Sequence, residues 1–364
     1  MTRSSMRMRG FTLVEVMVAI TIGLIVLAAV AQIFATSRGT YRLEENLARV
    51  QESGRFAVEF LTRDLRMAGY AGCVNINQAL NANANYTATN HLNPSTPPEA
   101  TNFMPGEHLR GFHYNDGTGD WEPPLPTGIF STGEVNANTD VVLIRRGSPN
   151  PMRVTTPYMV TDASALQLPV GNDLQIGDIV MVSDCTNVDI FQITGPDVPD
   201  TSGTLNHNTG TGTPGNATQP LSKTYAGDAE IMELFTQLYY VGTGASGEPA
   251  LMRKDLAGGS FGAGQELVEG VESLRVLYGE DTNGDRSADI YVLPAAVTDW
   301  TRVVSIRVGL LVRTPQQSGQ DPDTRVYNLL ADAGSTADDF DPVDDKRQRR
   351  LFSSTIQVRN MRTD

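Results

Sequence analysis

Residues 9–36 read RGFTLVEVMVAITIGLIVLAAVAQIFAT, and this stretch decides the fold. From Val16 to Thr36 it contains 21 residues without a charged side chain. At about 1.5 Å of rise per residue, a helix of this length measures roughly 31 Å, which is enough to cross the hydrocarbon core of a bilayer. The residues before it include three arginines and no acid, at Arg3, Arg7 and Arg9. This asymmetry predicts a cytoplasmic N-terminus and an exported C-terminal part.

One carboxylate, Glu15, interrupts the apolar region near its start. A secretory signal peptide would end at a small-residue site, and Ala29-Val30-Ala31 has that form. A simple signal-anchor helix is a second interpretation. Neither explains Glu15, because a carboxylate in a membrane helix costs about 2.5–3.5 kcal/mol on insertion scales. A third interpretation places a processing site between Gly10 and Phe11, which leaves the new amino terminus close to Glu15.

The sequence Arg9-Gly10 followed by FTLVEVMVAI resembles the class III prepilin signal of type IV pilins and type II secretion pseudopilins. The resemblance implies that a prepilin peptidase cuts after Gly10 and methylates Phe11. It also implies that Glu15, together with Thr12, serves assembly. A carboxylate buried among packed helices needs a cationic partner, and the α-amino group of a neighbouring subunit is one.

The helical pattern continues beyond the membrane and becomes amphipathic, with apolar residues at mostly three- and four-residue steps. It predicts one helix that ends near Met67, where Gly69 and Gly72 supply a stop. A coiled coil is the alternative, but the period breaks between Val50 and Ala57. We therefore divide the chain into a leader over 1–10, a transmembrane and stem helix over 11–68, and an exported β-rich head over 69–364.

The rest of the chain predicts a mainly antiparallel sheet with long loops, so the expected fold class is α+β. Residues 75–135 are rich in Asn, Pro, Gly and Thr and predict surface loops, and Gly195–Ser222 predicts a second loop that is potentially disordered. Short β-branched runs predict strands at Asp140–Arg146, Leu174–Ser183, Val188–Thr194, Glu230–Val241, Leu251–Lys254, Val271–Tyr278, Ile290–Leu293, Arg302–Arg313 and Arg350–Arg359.

Several blocks of the head extend the resemblance. They are GDIVMVSDC, VDIFQIT, VESLRVLYGEDTNGDRSAD, VTDWTRVVSIRVGLLVRT and RRLFSSTIQVRNMR. In this order they are similar to the PilW family of minor pilins and, more distantly, to the J-type minor pseudopilin. The resemblance implies a type IV pilin-like fold, in which a long N-terminal helix packs on the sheet.

The charge and the cysteine content of the chain argue against two classes of protein. The 364 residues include 28 Lys and Arg against 42 Asp and Glu, a formal net charge of −14 that argues against binding to duplex nucleic acid. Cys73 and Cys185 are too few for a disulfide-dense scaffold. Export favours a disulfide between them, which would tie the end of the stem helix to the sheet near Val182. Two buried free thiols are the alternative.

No residue pattern predicts catalysis. Gly258–Gly262 matches G-x-S-x-G, but glycines flank the serine and no histidine follows it, since His207 is the last. The four histidines lie in loop-like sequence without metal-ligand spacing, and we expect them at the surface: His91, His108, His113 and His207.

An acidic stretch predicts a calcium loop. Oxygen-bearing side chains alternate at Asp281, Asn283, Asp285, Ser287 and Asp289, as in the first part of an EF-hand loop. Arg286 replaces the expected glycine at position 6, and Val292 replaces the bidentate glutamate. A plain Asn-Gly hairpin turn is the alternative.

The resemblance implies a structural subunit without enzymatic activity: a minor pilin that primes pilus assembly, sits in the tip complex and supports twitching motility and adhesion. Its expected partners are prepilin peptidase, other minor pilins, a large tip adhesin and the inner membrane. No cofactor is required, and a calcium ion is a candidate ligand of the acidic stretch. The head would be periplasmic before assembly and the protein would then reach the pilus at the cell surface. The alternatives are a J-type pseudopilin of a type II secretion system and a membrane-anchored, calcium-stabilised adhesin.

We predict cleavage after Gly10, because an ordinary signal peptide or anchor has no use for Glu15. N-terminal sequencing of the protein from its native host should give a methylated Phe11 as the first residue. A first residue at Gln32 would instead show signal peptidase cleavage after Ala31.

Overall fold

The computed structural model describes residues 12–73, 87–95, 97–103, 106–317, 319, 321–330 and 339–360. Its longest element is helix α1, Leu13–Arg66, whose 54 residues extend about 81 Å. Thr12 is the N-cap, and Met67 closes the helix as the C-cap. Gly69 follows with a φ of 72°, in the left-handed region where glycine is favoured, so the expected stop lies where the chain leaves the helix. A short helix α2, Pro199–Ser202, and 3-10 turns at Pro98–Ala100, Pro294–Ala296 and Trp300–Arg302 complete the helical elements described.

The head is built from strands. They are β1 Thr87–Asn90, β2 Leu109–Asn115, β3 Asp120–Glu122, β4 Val141–Gly147, β5 Met152–Arg153, β6 Leu166–Gln167, β7 Ile179–Ser183, β8 Asn187–Gln192, β9 Thr204–Leu205, β10 Glu230–Thr243, β11 Pro249–Ala257, β12 Ser260–Phe261, β13 Gln265–Glu269, β14 Val271–Glu280, β15 Ile290–Val292, β16 Val303–Arg313, β17 Tyr327–Asn328, β18 Asp339–Phe340 and β19 Arg349–Gln357.

These strands form two larger sheets and two short two-stranded sheets. The first sheet runs β1-β8-β7-β10-β4-β2-β3, and β5, β11, β12 and β13 join it around β10. The second runs β15-β14-β16-β19, while β17 pairs with β18 and β6 with β9. Among the described strand pairs only β1 with β8 is parallel. The expected α+β fold, a long helix with a mainly antiparallel sheet, is confirmed.

The distal half of α1 packs on the second sheet, chiefly against β16 and β19. Its buried stripe consists of Val50, Gly54, Ala57, Leu61, Asp64 and Leu65. This stripe joins one apolar core with residues of β4, β10, β14 and β16. At Gly54 the helix approaches Phe352 of β19 so closely that a Cβ would lie 2.1 Å from the aromatic ring. The distal half of the stem is therefore an integral part of the head.

The predicted disulfide is present. It joins Cys73, just after the stem, to Cys185 in the turn between β7 and β8, with a Cα–Cα distance of 5.4 Å. In the chain-entropy model a bridge over so long a loop stabilises the fold by about 4–5 kcal/mol. The alternative of two free thiols is thereby excluded.

Two loop predictions were wrong in part. The segment 75–135 contains β1, β2 and β3, of which β2 has buried positions facing the core. The segment 195–222 is ordered around buried Asn216, whose side chain accepts a hydrogen bond from the backbone of Gln192 and donates one to its carbonyl. Both segments are held by contacts with residues distant in sequence. Their order therefore does not depend on the β-branched residues that usually mark strands. Of the first loop, residues 75–86, 96, 104 and 105 lie outside the described residues.

We predict that Gly54→Leu destabilises the protein by about 1–3 kcal/mol, because the added side chain overpacks the contact with Phe352. Gly39→Leu is the matched control, since nothing lies within 4 Å of a Cβ at that helical glycine. Thermal unfolding of the full chain in detergent measures both. Equal melting temperatures for the two variants would contradict the close packing of stem and sheet.

Candidate assembly surface of the stem helix and its attachment to the head

The start of the stem is capped by the two residues that the resemblance assigns to assembly. The backbone N–H of Glu15 donates to Thr12 Oγ1 at 3.3 Å, and the backbone N–H of Thr12 donates to Glu15 Oε2 at 3.5 Å. Together they form a capping box, which fixes where the helix begins. Gly10 and Phe11, the predicted processing residues, lie outside the described residues.

The proximal half of α1 is apolar, and no other segment among the described residues covers it. Its large apolar side chains, from Leu13 to Phe34, are 43–78% exposed. The helix is long and apolar enough to cross a membrane by length and composition. So large an apolar surface on a protein of this size indicates a membrane or a protein partner.

The distal end of α1 carries a buried carboxylate that the sequence prediction missed. Asp64 accepts a hydrogen bond from the hydroxyl of Tyr239 on β10, and another from Arg146 Nη2 on β4 at 3.3 Å. Burial and the neighbouring Asp64 carboxylate raise the pKa of Tyr239, so the phenol keeps the proton that it donates. The signal was present in the sequence, since an acid stands on the same helix face as Leu61 and Ala68.

The backbone continues this attachment beyond the helix. The N–H of Gly69 donates to the carbonyl of Arg145, and the N–H of Gly147 donates to the carbonyl of Tyr70. The end of β4 is therefore held to the chain that leaves the stem. With Asp64 and the disulfide, these contacts fix the stem to the first sheet as well as to the second.

The prediction of surface histidines was wrong, because all four are at most 6% exposed: His91, His108, His113 and His207. His91 Nε2 lies 2.5 Å from Asp189 Oδ1, and its Nδ1 lies 2.7 Å from Thr218 Oγ1. Asp189 also accepts hydrogen bonds from Ser222 and Tyr225. These hydrogen bonds satisfy the polar atoms of His91 and Asp189, so both side chains can be buried. A loop-like sequence alone predicts that such side chains face water.

The other histidines are also buried for structural reasons. His113 Nδ1 lies 3.0 Å from Asp140 Oδ1, and the ring nitrogens of His207 face two backbone carbonyl oxygens. Burial, reinforced by the nearby Arg145, lowers the pKa of His108 to about 3 and keeps it neutral. Within the described ranges no three His, Cys, Asp or Glu side chains are placed to hold a metal ion.

The acidic loop 281–289 connects β14 to β15. Asp281 accepts hydrogen bonds from the backbone N–H groups of Asn283, Gly284 and Arg286 at 2.6–3.2 Å. Asp289 accepts from the backbone and hydroxyl of Thr282. Arg286 has a φ of 76°, the left-handed conformation expected of a glycine at this loop position. Calcium binding by this loop, including Asp285 and Ser287, stays a prediction.

The G-x-S-x-G pattern lies in a hairpin rather than a nucleophile elbow. Gly258 and Gly259 form the turn between β11 and β12, and Ser260 begins the second strand. The elbow requires a strand followed by a helix. This pattern therefore provides no basis for nucleophilic catalysis.

Two family models match the chain at its two ends. Residues 5–31 match the prokaryotic N-terminal methylation motif. Residues 238–360, which run from within β10 to just beyond β19, match the type IV pilus-assembly protein W family. The motif and the long apolar helix define the class, a type IV pilin-like protein. Within that class, the matched part of the head is similar to the PilW family of type IV pilus-assembly proteins.

Individual relatives are more remote. The chain is 41% identical over 73 residues to the pilin-like protein PilA3 of Thermus thermophilus, which is 20% of this chain and 31% of that protein. It therefore spans about a third of the length of this curated relative. A solved type IV-like pilin from Thermus thermophilus aligns over 88% of this chain and 97% of its own, at 13% identity and a TM-score of 0.34.

We predict that Asp64→Ala destabilises the protein by about 3 kcal/mol, since it leaves half-buried Arg146 and buried Tyr239 without this acceptor. Glu52→Ala, an exposed acid on the same helix, should change stability by less than about 0.5 kcal/mol. A double-mutant cycle with Tyr239→Phe should give a coupling energy of about 1 kcal/mol or more. Additive effects would show that the contact does not stabilise the fold.

We also predict that calcium raises the melting temperature of a fragment starting near Arg38, because an ion that binds only the folded state stabilises it. The affinity should be weak, near ~10⁻⁴–10⁻³ M, because Val292 supplies no carboxylate. Asp281→Ala with Asp285→Ala should abolish the shift. An unchanged melting temperature in millimolar calcium would contradict calcium binding and favour the alternative of a plain hairpin turn.

Proposed function

We propose that the chain is a structural subunit that primes type IV pilus assembly and takes its place in the pilus tip complex. In this role it supports twitching motility and adhesion and carries no reaction of its own. The observation that supports the proposal is the division of α1 into a distal half packed on the head and a proximal half that no other part of the described chain covers.

The proximal half requires two successive environments. Before assembly, a bilayer covers the apolar side chains, with the arginine-rich start in the cytoplasm and the head in the periplasm. After assembly, the proximal helices of neighbouring subunits replace the lipid. Glu15, whose described partner is its own cap residue Thr12, would then accept the α-amino group of a neighbour.

The proposed partners are those that the family resemblance implies. Prepilin peptidase would free the amino group of Phe11, and other minor pilins and a large tip adhesin would contact the exported head. A J-type pseudopilin of a type II secretion system would use the same helix. Neighbouring genes that encode prepilins and a large adhesin favour the pilus, whereas secretion-system neighbours favour the pseudopilin.

Replacing Glu15 tests this role of the helix. Glu15→Ala should leave membrane insertion and cleavage intact, because the apolar helix is retained, and should greatly reduce incorporation into sheared pili. Glu45→Ala is the control, since Glu45 is exposed and forms an ion pair with Arg49 one turn along the helix. Immunoblots of membrane and pilus fractions measure both variants. Normal incorporation of Glu15→Ala would contradict the proposed assembly contact.

A further inference from the structure

A groove runs beside the distal end of the stem, where α1 meets the ends of β4 and β10. It encloses about 890 Å³ and has an apolar floor that includes Val58, Met67 and Phe235. Its remaining lining contains five arginines, and we call it the arginine groove: Arg55, Arg63, Arg66, Arg146 and Arg359. No function described above uses this surface.

The groove is cationic in an acidic protein. Two acids line it, Glu59 and Asp64, so it carries a formal excess of three positive charges while the whole chain carries −14. Asp64 is already occupied by Tyr239 and Arg146. Within the described ranges the other four arginines form no ion pair, and all four are exposed. Guanidinium groups in such a position favour carboxylates, which they can bind in bidentate geometry.

The position of the groove restricts what can occupy it. Arg55 lies 19 residues beyond Thr36, the end of the uncharged run, which is about 28 Å along a helix. The headgroup layer on each side of a bilayer is only about 5–8 Å thick, so lipid phosphates do not reach the groove. A nucleic-acid duplex would bring its dense negative charge against a head of the same sign. An acidic polypeptide segment satisfies both the charge and the distance.

We propose that the arginine groove binds an acidic, extended segment of a neighbouring pilin subunit of different sequence. Carboxylates of that segment pair with the arginines, and an aliphatic or aromatic side chain rests on the apolar floor between Val58 and Phe235. The proposal rests on the proposed function, because assembly through the proximal helices brings the heads of neighbouring subunits beside the stem.

Site-specific photocrosslinking of the full chain in its native host tests the occupant. A photoreactive residue at Thr62, which lines the groove, should crosslink to another prepilin, and mass spectrometry should locate the bond in an acidic segment. The same residue at Thr355, exposed on β19, is the control and should not mark that segment. Crosslinking of Thr62 to a second copy of this chain, to lipid or to a neutral or basic segment would overturn the proposal.

Charge reversal tests the recognition. Arg63→Glu with Arg66→Glu should lower co-purification of the crosslinked prepilin at least tenfold. Lysines in place of the acids of its marked segment should restore binding. Because both residues lie in the last turn of the helix, Arg55→Glu with Arg359→Glu provides a second variant that leaves the helix end unchanged.

A matched control separates the groove from general charge effects. Arg302→Glu with Arg350→Glu changes the net charge equally at two exposed arginines of the head and should alter co-purification less than twofold. Formation of the Cys73–Cys185 bond verifies folding of each variant. Full partner retention in both groove variants would overturn the proposal.

The Glu15→Ala variant distinguishes this proposal from the proposed function. If Glu15→Ala abolishes incorporation while both groove variants retain the partner, the groove proposal fails and the pilin role stands. If Glu15→Ala incorporates normally, the proposed assembly contact of Glu15 is contradicted, independently of the result for the groove variants.

Discussion

The burial of one stripe of α1 against the second sheet is the contact on which the rest of the structure depends. It holds the distal half of an 81 Å helix rigidly on the head through Val50, Ala57, Leu61 and Leu65. Because those residues share a core with both sheets, the stem and the head fold as one body. The large apolar side chains of the proximal half are exposed among the described residues, which is typical of a helix that other molecules cover.

The attachment is polar as well as apolar at the end of the stem. Asp64 would be costly in this core without Tyr239 and Arg146, because a buried carboxylate needs donors that replace water. Its contacts bring β4 and β10 to a fixed position on the helix. They also leave the remaining arginines of that region facing outward, which produces a basic surface on an acidic protein.

Much of this fold could be predicted from the sequence. The apolar run, the amphipathic continuation and the glycines after Met67 specify the helix locally, and the β-branched runs specify most long strands. Strand β2 was not predicted because its sequence, LRGFHYN, has no β-branched residue. Its burial comes from pairing with β4. The burial of the histidines was not predicted for a similar reason, since the partner of His91 lies 98 positions away at Asp189. The two cysteines were predictable as a pair because the sequence predicts export, and a chain with only two cysteines offers a single intramolecular pairing.

The contacts between Asp64 and Cys73 have a mechanical consequence for a protein held by its stem. Beyond the apolar stripe, a pulling force along the helix reaches the first sheet at three points within ten residues of chain: the hydrogen bond from Tyr239 to the Asp64 carboxylate, the backbone bond from Gly69 to Arg145, and the covalent link to Cys185. These points lie on β10, on β4 and beside β7, which are neighbours in one sheet. Tension is thus divided among several strands, and the last attachment cannot yield unless a covalent bond breaks.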